Sequence, residues 1–237
     1  MSKAPPQRRA GEARQLTERQ WAKSVAHALT AWFREHGRVF PWREEGDPFW
    51  VLVAELLLRK TRAENAVQAY RELKSQLPAA ADVAAAPLGD IERIVRPLGL
   101  PQRAAQIKHA AELSCQGVDI GHEDNLRAMH GVGEYITGAV RCLVAADPTP
   151  MVDGGVNRVI SRLVRLEGSY EQRLRAARAA AALILQAEKD ADPRAINLGL
   201  LDVAATICRP TPRCGECPLQ GWCALSQARA QRSDPPG

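Results

Sequence analysis

Four cysteines near the C-terminal end of the chain have the spacing of a metal site. Cys208, Cys214, Cys217 and Cys223 form a C-x5-C-x2-C-x5-C pattern within sixteen residues. Four soft thiolates in one loop bent by proline and glycine are typical of an iron-sulfur cluster. Zinc is the competing metal, but structural zinc sites usually pair two C-x2-4-C units across a longer spacer, which differs from this pattern. A loop without a metal is the weakest of the three alternatives. We predict a 4Fe-4S cluster here.

The segment MHGVGEYITGAV, residues 129–140, could approach an anion. Gly131 and Gly133 allow a sharp turn without Cβ atoms, and the amides that begin the next helix would point outward. A phosphate fits such a turn. Taken alone, the motif is more typical of an ordinary connection between two helices.

Two carboxylates stand in unlike surroundings. Glu55 lies inside the apolar run VLVAELLL, where it is either on a solvent-facing stripe or desolvated. Asp153, in PMVDGGVNRVISRL, has the position of a helix N-cap. A carboxylate at a helix N-terminus is held ionised and one in an apolar pocket tends to keep its proton, so one site could hold an anion and an acid together.

The composition limits the classes of protein that these groups could serve. The chain has 237 residues, 46% of them hydrophobic, and a formal net charge of +5, which favours a polyanionic partner. We find no long apolar run and no secretory signal, which predicts a cytoplasmic protein without a membrane partner. Disulfides are not expected in the reducing cytoplasm. Cys115 and Cys142, in helical segments, are predicted to be small buried hydrophobes.

Helical periodicity covers most of the chain and no strand alternation is evident, so the predicted fold class is all-α. Thr17 is predicted to cap a first helix that ends at Gly37. Further helices are predicted from about Pro48, over Ala63–Ser75, from Pro87, between Pro101 and Gln116 after a stop at Gly99, on both sides of 129–133, and as a group of three between Gly154 and Ile207.

Several of these segments, taken in order, resemble the endonuclease III and MutY superfamily of helix-hairpin-helix DNA glycosylases. They are FPWR (40–43), AELLLRKT (54–61), GLPQRAAQIK (99–108), GVGEYITGAV (131–140), MVDGGVNRV (151–159), NLGLLDVAATIC (197–208) and the cysteine loop. The match runs from about Trp32 to Cys223. Within the superfamily the chain most resembles the Mig-type glycosylases, which act on thymine or uracil opposite guanine.

The resemblance implies two helical lobes with DNA bound across the cleft, and Glu55 and Asp153 facing each other across its mouth. The implied domains are a disordered basic tail (1–15), a cluster lobe (16–46 with 151–225), a six-helix barrel lobe (47–150) with its hairpin at 129–133, and a C-terminal tail (226–237).

The resemblance also implies catalytic roles. Asp153 matches the essential aspartate, whose charge stabilises the oxocarbenium-like sugar and helps to place the attacking water. Glu55 matches the acid that protonates the leaving base in MutY, although hydrogen bonding to the flipped base is an equal alternative for a pyrimidine. Tyr135 stands where bifunctional relatives carry a Schiff-base lysine, which implies a monofunctional hydrolase without strand cleavage.

The DNA-binding residues follow from the same match. Arg59 and Leu100 match positions that plug and wedge the duplex, and Lys60 beside Arg59 is a further expected DNA-binding residue. Arg209 and Arg213, between the first two cysteines, would contact phosphates, although unspecific surface charge is the simpler interpretation of these two arginines taken alone.

Two departures from the family pattern affect its loops. His130 replaces the usual hairpin proline, and a Gly154-Gly155 pair follows the aspartate in place of bulkier residues. Both are expected to loosen their loops and to affect hairpin rigidity and substrate range.

We therefore expect a nucleoid-associated monomer that acts on mismatched double-stranded DNA. One alternative is an adenine glycosylase without the C-terminal domain that inspects oxidised guanine, since the chain ends fourteen residues after Cys223. The other is a non-catalytic iron-sulfur protein that binds DNA. The presence of Glu55, Asp153 and Tyr135 together favours an enzyme over this last alternative.

Overall fold

The structure, a computed structural model, describes residues 17–99, 101–188 and 190–233. These residues form twelve α-helices and four short 3-10 helices without a strand, which confirms the predicted all-α class. The predicted N-terminal tail (1–15) and the wedge residue Leu100 lie outside the described residues. Within the described ranges, every helix is too short or too polar to span a lipid bilayer.

The chain divides into two compact units. Unit 1 takes the described residues of Met1–Arg38 and Pro148–Gly237, and unit 2 takes Val39–Asp147. Residues 148–150, which the sequence analysis groups with the barrel lobe, therefore belong to unit 1, and residues 39–46, which it groups with the cluster lobe, belong to unit 2. The reason for residues 39–46 is packing, because Trp42 is buried edge-on against Tyr70 and Glu45 accepts a hydrogen bond from the Tyr70 hydroxyl at 3.0 Å.

Unit 2 is built around an apolar central helix, α2. Its helices are α2 (Pro48–Leu58), α3 (Ala63–Gln76), α4 (Ala80–Ala85), α5 (Leu88–Val95), α6 (Gln102–Cys115), α7 (Glu123–Ala128) and α8 (Glu134–Ala145). Asp47 caps α2 by accepting a hydrogen bond from the Phe49 amide at 2.9 Å, and Pro48 fills the first helical position. Helix α2 packs against α3, α6 and α8, which explains why nearly all of its residues are apolar.

Unit 1 packs its core from four helices, α1 (Glu18–His36), α9 (Gly154–Val164), α10 (Tyr170–Leu185) and α11 (Pro193–Thr206). Thr17 and Gln20 form a capping box at the start of α1, and Gly37 ends that helix, as predicted. Arg38 donates from its backbone amide and its guanidinium to the buried carboxylate of Asp202, at 2.8 and 2.6 Å, which ties the end of this segment to α11.

The local helix signals are confirmed. Pro87 and Pro101 stand at the N-caps of α5 and α6, and Gly99 ends the turn between them with a positive φ of 73°. The last helix, α12 (Ala224–Ser233), covers residues 226–233 of the segment predicted as a tail.

The two cysteines outside the cysteine loop differ in burial. Cys142 is buried in α8 as predicted. The burial prediction for Cys115 is wrong, because that side chain ends α6 and is exposed. Helical periodicity at the last residue of a helix does not determine which neighbours cover the side chain.

Candidate functional site

Asp153 begins α9 and presents an exposed carboxylate, which confirms the predicted N-cap. Its backbone is extended, with φ −93° and ψ −174°, and Oδ1 accepts a hydrogen bond from the Val156 amide at 2.7 Å. Met151 and Val152 before it are buried, so the residue is anchored on both sides. One carboxylate oxygen is thereby held at the positive end of the helix dipole, in a fixed direction.

Asn197 holds the chain that leads to Asp153. This buried residue of α11 accepts a hydrogen bond from the Met151 amide and donates one to the Thr149 carbonyl, both at 3.0 Å. The sequence analysis did not single out Asn197. An amide inside the apolar run of a buried helix is a usable signal, because buried polar side chains need partners.

The glycine pair after Asp153 does not loosen the loop in the expected way. A Cβ on Gly155 would lie 3.2 Å from Asp153 Oδ1 and 3.2 Å from the Cβ of Ala204, so close packing favours glycine there. A Cβ on Gly154 would lie 3.7 Å from the phenol oxygen of Tyr170, which is ordinary contact. Tyr170, half-exposed at the start of α10, is thus a side chain beside Gly154, the residue after Asp153, that the sequence analysis missed.

Glu55 is buried in the middle of α2, with 4% of its surface exposed. This burial excludes the alternative of a solvent-facing stripe. Its helical neighbours Ala54 and Leu56 are buried as well. A carboxyl group in such surroundings is suited to proton donation or to a hydrogen bond with a ligand, and less to a surface ion pair. Glu55 belongs to unit 2 and Asp153 to unit 1.

The hairpin of residues 129–133 joins α7 to α8 in unit 2. The Val132 amide donates to the Met129 carbonyl at 3.1 Å, and Gly131 has a φ of +82°, which favours glycine. Gly133 caps α8 with a φ of −101°, and a Cβ there would meet none of the described atoms within 4 Å. Within the hairpin, the backbone conformation favours glycine at 131 and not at 133, and the space at 133 leaves the backbone accessible to a partner.

Tyr135 is the second residue of α8 and is partly buried. Its phenol therefore stands in the first turn of the helix that follows the hairpin. The position agrees with the sequence-based assignment of this residue to the hairpin segment.

The turn after α2 carries two basic residues, Arg59 and Lys60, that are predicted to bind DNA. Arg59 and Lys60 are exposed, and Lys60 has a left-handed φ of 53°, which non-glycine residues rarely adopt. The buried guanidinium of Arg103 donates to the Arg59 carbonyl and, at 2.8 Å, to the Thr61 hydroxyl. Arg103 was not identified from the sequence, although it lies inside the quoted segment 99–108.

The four cysteines of the C-terminal loop lie in one neighbourhood of unit 1. Burial raises the pKa of the Cys217 thiol to about 12, and the charges of Cys208, Cys223 and Cys214 add to the increase. Arg162 bridges two of them, since its Nη1 lies 3.5 Å from Cys208 Sγ and its carbonyl accepts from Cys223 Sγ at 3.5 Å. The donor set fits a thiolate-bound group.

As the side chains are placed, no group of three or more His, Cys, Asp or Glu residues in the described ranges is close enough to hold a metal ion. The assignment of a cluster therefore stays a prediction.

The two loop arginines differ in their contacts. Arg213 forms an ion pair with Glu216 at 2.8 Å and donates to the Thr206 carbonyl at 2.8 Å, so it stabilises its own loop. Arg209 has an exposed side chain, and its carbonyl accepts a hydrogen bond from Arg162 at 2.6 Å. Arg209 is thus the better placed of the two for a phosphate.

Comparison with known proteins supports the resemblance. A family model described as HhH-GPD superfamily base excision DNA repair protein matches residues 53–183. A thymine/uracil-DNA glycosylase of Pyrobaculum aerophilum is 34% identical over 213 residues, which cover 85% of this chain and 91% of the relative. An adenine DNA glycosylase of Mycobacterium tuberculosis is 31% identical over 213 residues, with 88% of this chain and 69% of the relative covered.

The fold agrees with the same family. The solved structure of a thermostable thymine-DNA glycosylase superposes with a TM-score of 0.77 at 30% identity, covering 88% of this chain and 97% of that one. The recognition of a helix-hairpin-helix glycosylase from the sequence is therefore confirmed. The chain belongs to the HhH-GPD superfamily of base excision DNA repair proteins.

Proposed function

We propose that the chain is a monofunctional DNA glycosylase that hydrolyses the N-glycosidic bond of thymine or uracil mispaired with guanine. The observation that carries this proposal is Asp153, an exposed carboxylate fixed at the N-terminus of α9 by the Val156 amide. The thymine/uracil-DNA glycosylase of Pyrobaculum aerophilum, aligned over most of both chains, supports the choice of base.

Asp153 acts on the sugar. Departure of the base leaves positive charge on C1′ and the ring oxygen, and a carboxylate held in one direction stabilises that charge without reorganising. The Val156 amide occupies Oδ1, which leaves Oδ2 to orient a water molecule for attack on C1′. The burial of Met151 and Val152 and the hydrogen bonds of Asn197 keep this carboxylate in place.

Glu55 serves the departing base. Its burial in α2 suits a group that either donates a proton to the base or accepts a hydrogen bond from its N–H edge. Both roles require a side chain shielded from water, and the two differ in whether the carboxyl must carry a proton.

Tyr135 makes the reaction a hydrolysis only. A phenol cannot form an imine with the sugar, so C1′ is attacked by water and the product is an intact abasic strand. The position of Tyr135 in the first turn after the hairpin supports this role.

The partner is double-stranded DNA containing a mismatch, bound by a monomer at the nucleoid. The glycine hairpin presents backbone amides at Gly133, and Arg59, Lys60 and Arg209 supply exposed positive charge for phosphates. A mispaired base needs less free energy than a paired base to flip out of the stack, which fits an enzyme of this class.

Cys208, Cys214, Cys217 and Cys223 would hold a 4Fe-4S cluster. When bound, the cluster supplies a rigid covalent core that fixes the loop carrying Arg209. Arg162, a residue of α9, contacts Cys208, Cys223 and the Arg209 carbonyl. It thereby joins the cysteine loop to the helix that Asp153 begins.

A second candidate substrate is adenine. The adenine DNA glycosylase of Mycobacterium tuberculosis supports it through 31% identity over 213 residues. Tyr135 argues against it, because the family resemblance implies that a small residue is typical of adenine glycosylases at this position.

A panel of end-labelled duplexes tests the proposal. Duplexes with T·G, U·G, A·G and A opposite oxidised guanine are incubated with the protein under single-turnover conditions, and each is analysed with and without alkali. We expect strand breaks after alkali for T·G and U·G only. Release of adenine alone would replace the proposed substrate by the second candidate, and no base release from any duplex would overturn the assignment.

A further inference from the structure

Helix α6 carries a side chain that contacts two of the DNA-binding elements. The amide oxygen of Gln106 accepts a hydrogen bond from Arg59 Nη1 at 3.3 Å, and its amide nitrogen donates to the His130 carbonyl at 2.9 Å. Gln106 thus joins the turn after α2 to the first residues of the hairpin. The residues that it joins are distant along the chain, so the contact depends on the fold of unit 2.

Gly131 shows how closely these groups pack. A Cβ at this position would overlap the amide nitrogen of Gln106 and lie 2.9 Å from Arg59 Nη1. The amide of Gln106 and the guanidinium of Arg59 therefore rest against the backbone of Gly131. The positive φ favours glycine here, and a Cβ would displace the ends of these two side chains.

The other end of Arg59 is held by the same helix. Arg103, one turn before Gln106, donates to the Arg59 carbonyl, to the Thr61 hydroxyl and, at 3.4 Å, to the Leu98 carbonyl. Burial and then the charge of Arg59 lower the pKa of Arg103, as expected for two cations held close together. The backbone of Arg59 is fixed by Arg103 and its guanidinium by Gln106.

We infer that Gln106 is a positioning residue that couples Arg59 to the hairpin, so that the guanidinium and the hairpin backbone meet DNA as one unit. Its amide is neutral, so it fixes the direction of the guanidinium without neutralising the charge that a phosphate needs. This inference rests on the proposed DNA-binding function. Gln106 itself touches no substrate in this role.

A double-mutant cycle on DNA affinity tests the coupling. The dissociation constant for an undamaged, fully matched duplex is measured over a range of salt concentrations for wild type, Arg59→Ala, Gln106→Leu and the double variant. Gln102→Leu is the matched control, since Gln102 is an exposed glutamine on the same helix. Thermal unfolding of every variant reports whether the fold is retained.

We expect Arg59→Ala to weaken binding about 3- to 10-fold and to lower the salt dependence by about one phosphate contact. Gln106→Leu should weaken binding by a similar factor and lower the salt dependence in part, and the double variant should match Arg59→Ala within about 2-fold. Gln102→Leu should bind like wild type. Independent factors that multiply in the double variant, or wild-type affinity of either single variant, would overturn the inference.

A second substitution keeps the test valid if Gln106→Leu does not fold. Gln106→Glu keeps the length of the side chain, but its charge pairs with Arg59 and repels the His130 carbonyl. We expect it to bind more weakly than wild type by at least the factor of Arg59→Ala, with the same loss of salt dependence. Unchanged affinity and salt dependence of a folded Gln106→Glu would contradict the coupling.

These measurements are independent of which base is excised. A protein that shows the coupling but releases no thymine or uracil loses the proposed function and keeps this inference. A protein that releases these bases while the two substitutions act independently keeps the function and loses the inference.

Discussion

The side chain of Asn197 holds the backbone of Met151, two residues before the catalytic candidate Asp153, by a hydrogen bond of 3.0 Å. The same side chain binds the Thr149 carbonyl, so one buried amide satisfies two backbone groups of an extended segment. The direction of the Asp153 carboxylate therefore depends on α11 as well as on its own helix.

Replacement of Asn197 by Leu should impair both stability and base release. The change leaves the Met151 amide and the Thr149 carbonyl without this partner, which costs about 2–4 kcal/mol of unfolding free energy. We expect the single-turnover rate of base release to fall about 10- to 100-fold, because Asp153 loses its fixed position. Ser161→Ala is the control, since it removes a side-chain hydrogen bond to Asn157 in the same unit, and it should leave the rate unchanged. A folded Asn197→Leu protein with the wild-type rate would contradict this role.

Asp153→Asn should abolish base release and leave DNA binding and stability nearly unchanged. The asparagine oxygen can still accept from the Val156 amide, so the helix cap is kept while the charge is lost. Asp153→Ala loses both and should also cost about 1 kcal/mol of stability. Single-turnover kinetics, duplex affinity and thermal unfolding of the two variants separate the charge from the cap. A wild-type rate for Asp153→Asn would show that the assigned mechanism is wrong.

Tyr135→Lys should gain lyase chemistry that the wild type lacks. The first turn of α8 and partial burial both favour the neutral amine that forms an imine with the sugar. We expect a borohydride-trapped DNA adduct and some strand nicking without alkali, together with slower base release. Glu134→Lys places an amine at the neighbouring exposed position and should trap nothing. Nicking by the wild type without alkali would refute the monofunctional assignment.

The purified protein should be brown, with about four irons per chain and a broad absorption near 400 nm. Cys217→Ser should lose the colour and most of the iron, because it removes one ligand of the set. Cys115→Ser, at an exposed cysteine on α6, should keep the full iron content. Iron analysis and the visible spectrum after anaerobic purification test whether the four cysteines hold an iron-sulfur cluster. Stoichiometric zinc without iron would identify zinc as the bound metal instead.

The stability of unit 2 should respond to acid through Glu45. Burial by itself raises the pKa of Glu45, but hydrogen bonds from Lys74, the Asp47 amide and Tyr70, together with the charge of Lys74, leave it below the ordinary value of 4.5. The stabilisation is therefore complete above pH 4.5 and is lost as the pH falls through the lowered pKa of the folded state.

Glu45→Gln should unfold about 2–4 °C below wild type at pH 7, and this difference should shrink below about pH 4. The control is Glu44→Gln, at the exposed neighbouring position, which should unfold like wild type at both pH values. Melting temperatures measured from pH 3 to pH 8 provide the comparison. A difference that grows toward low pH would contradict the sign of the shift.

The local signals of the sequence determined a large part of this protein. The caps at Thr17 and Asp153 were predicted correctly because each is satisfied by an amide three residues away. Helix starts at proline and the turn at Gly99 follow from the same short-range backbone rules. The ordered motifs determined the family, since their residue types and spacing are visible without coordinates.

Burial was decided only by the tertiary structure. Around Glu55 nearly every residue is apolar, so periodicity marks no solvent-facing side of α2, and the packing of α3, α6 and α8 around the helix buries the carboxyl group. Cys115 gave the opposite result at the end of α6, where its side chain is exposed. A hydrophobic pattern specifies which residues can be buried, and the surrounding elements decide which ones are.

The sequence also did not show which groups the positioning residues bind. Arg103, Gln106 and Asn197 bind backbone or side-chain groups that lie between 24 and 48 residues away along the chain. A hydrogen bond over such a separation forms only when the elements that carry its two partners have packed, so the residue type can mark a buried polar side chain, as at Asn197, but not the group that it binds. The sequence determined which groups can do the chemistry, and the packing of the helices within each unit decided which side chains hold those groups in place.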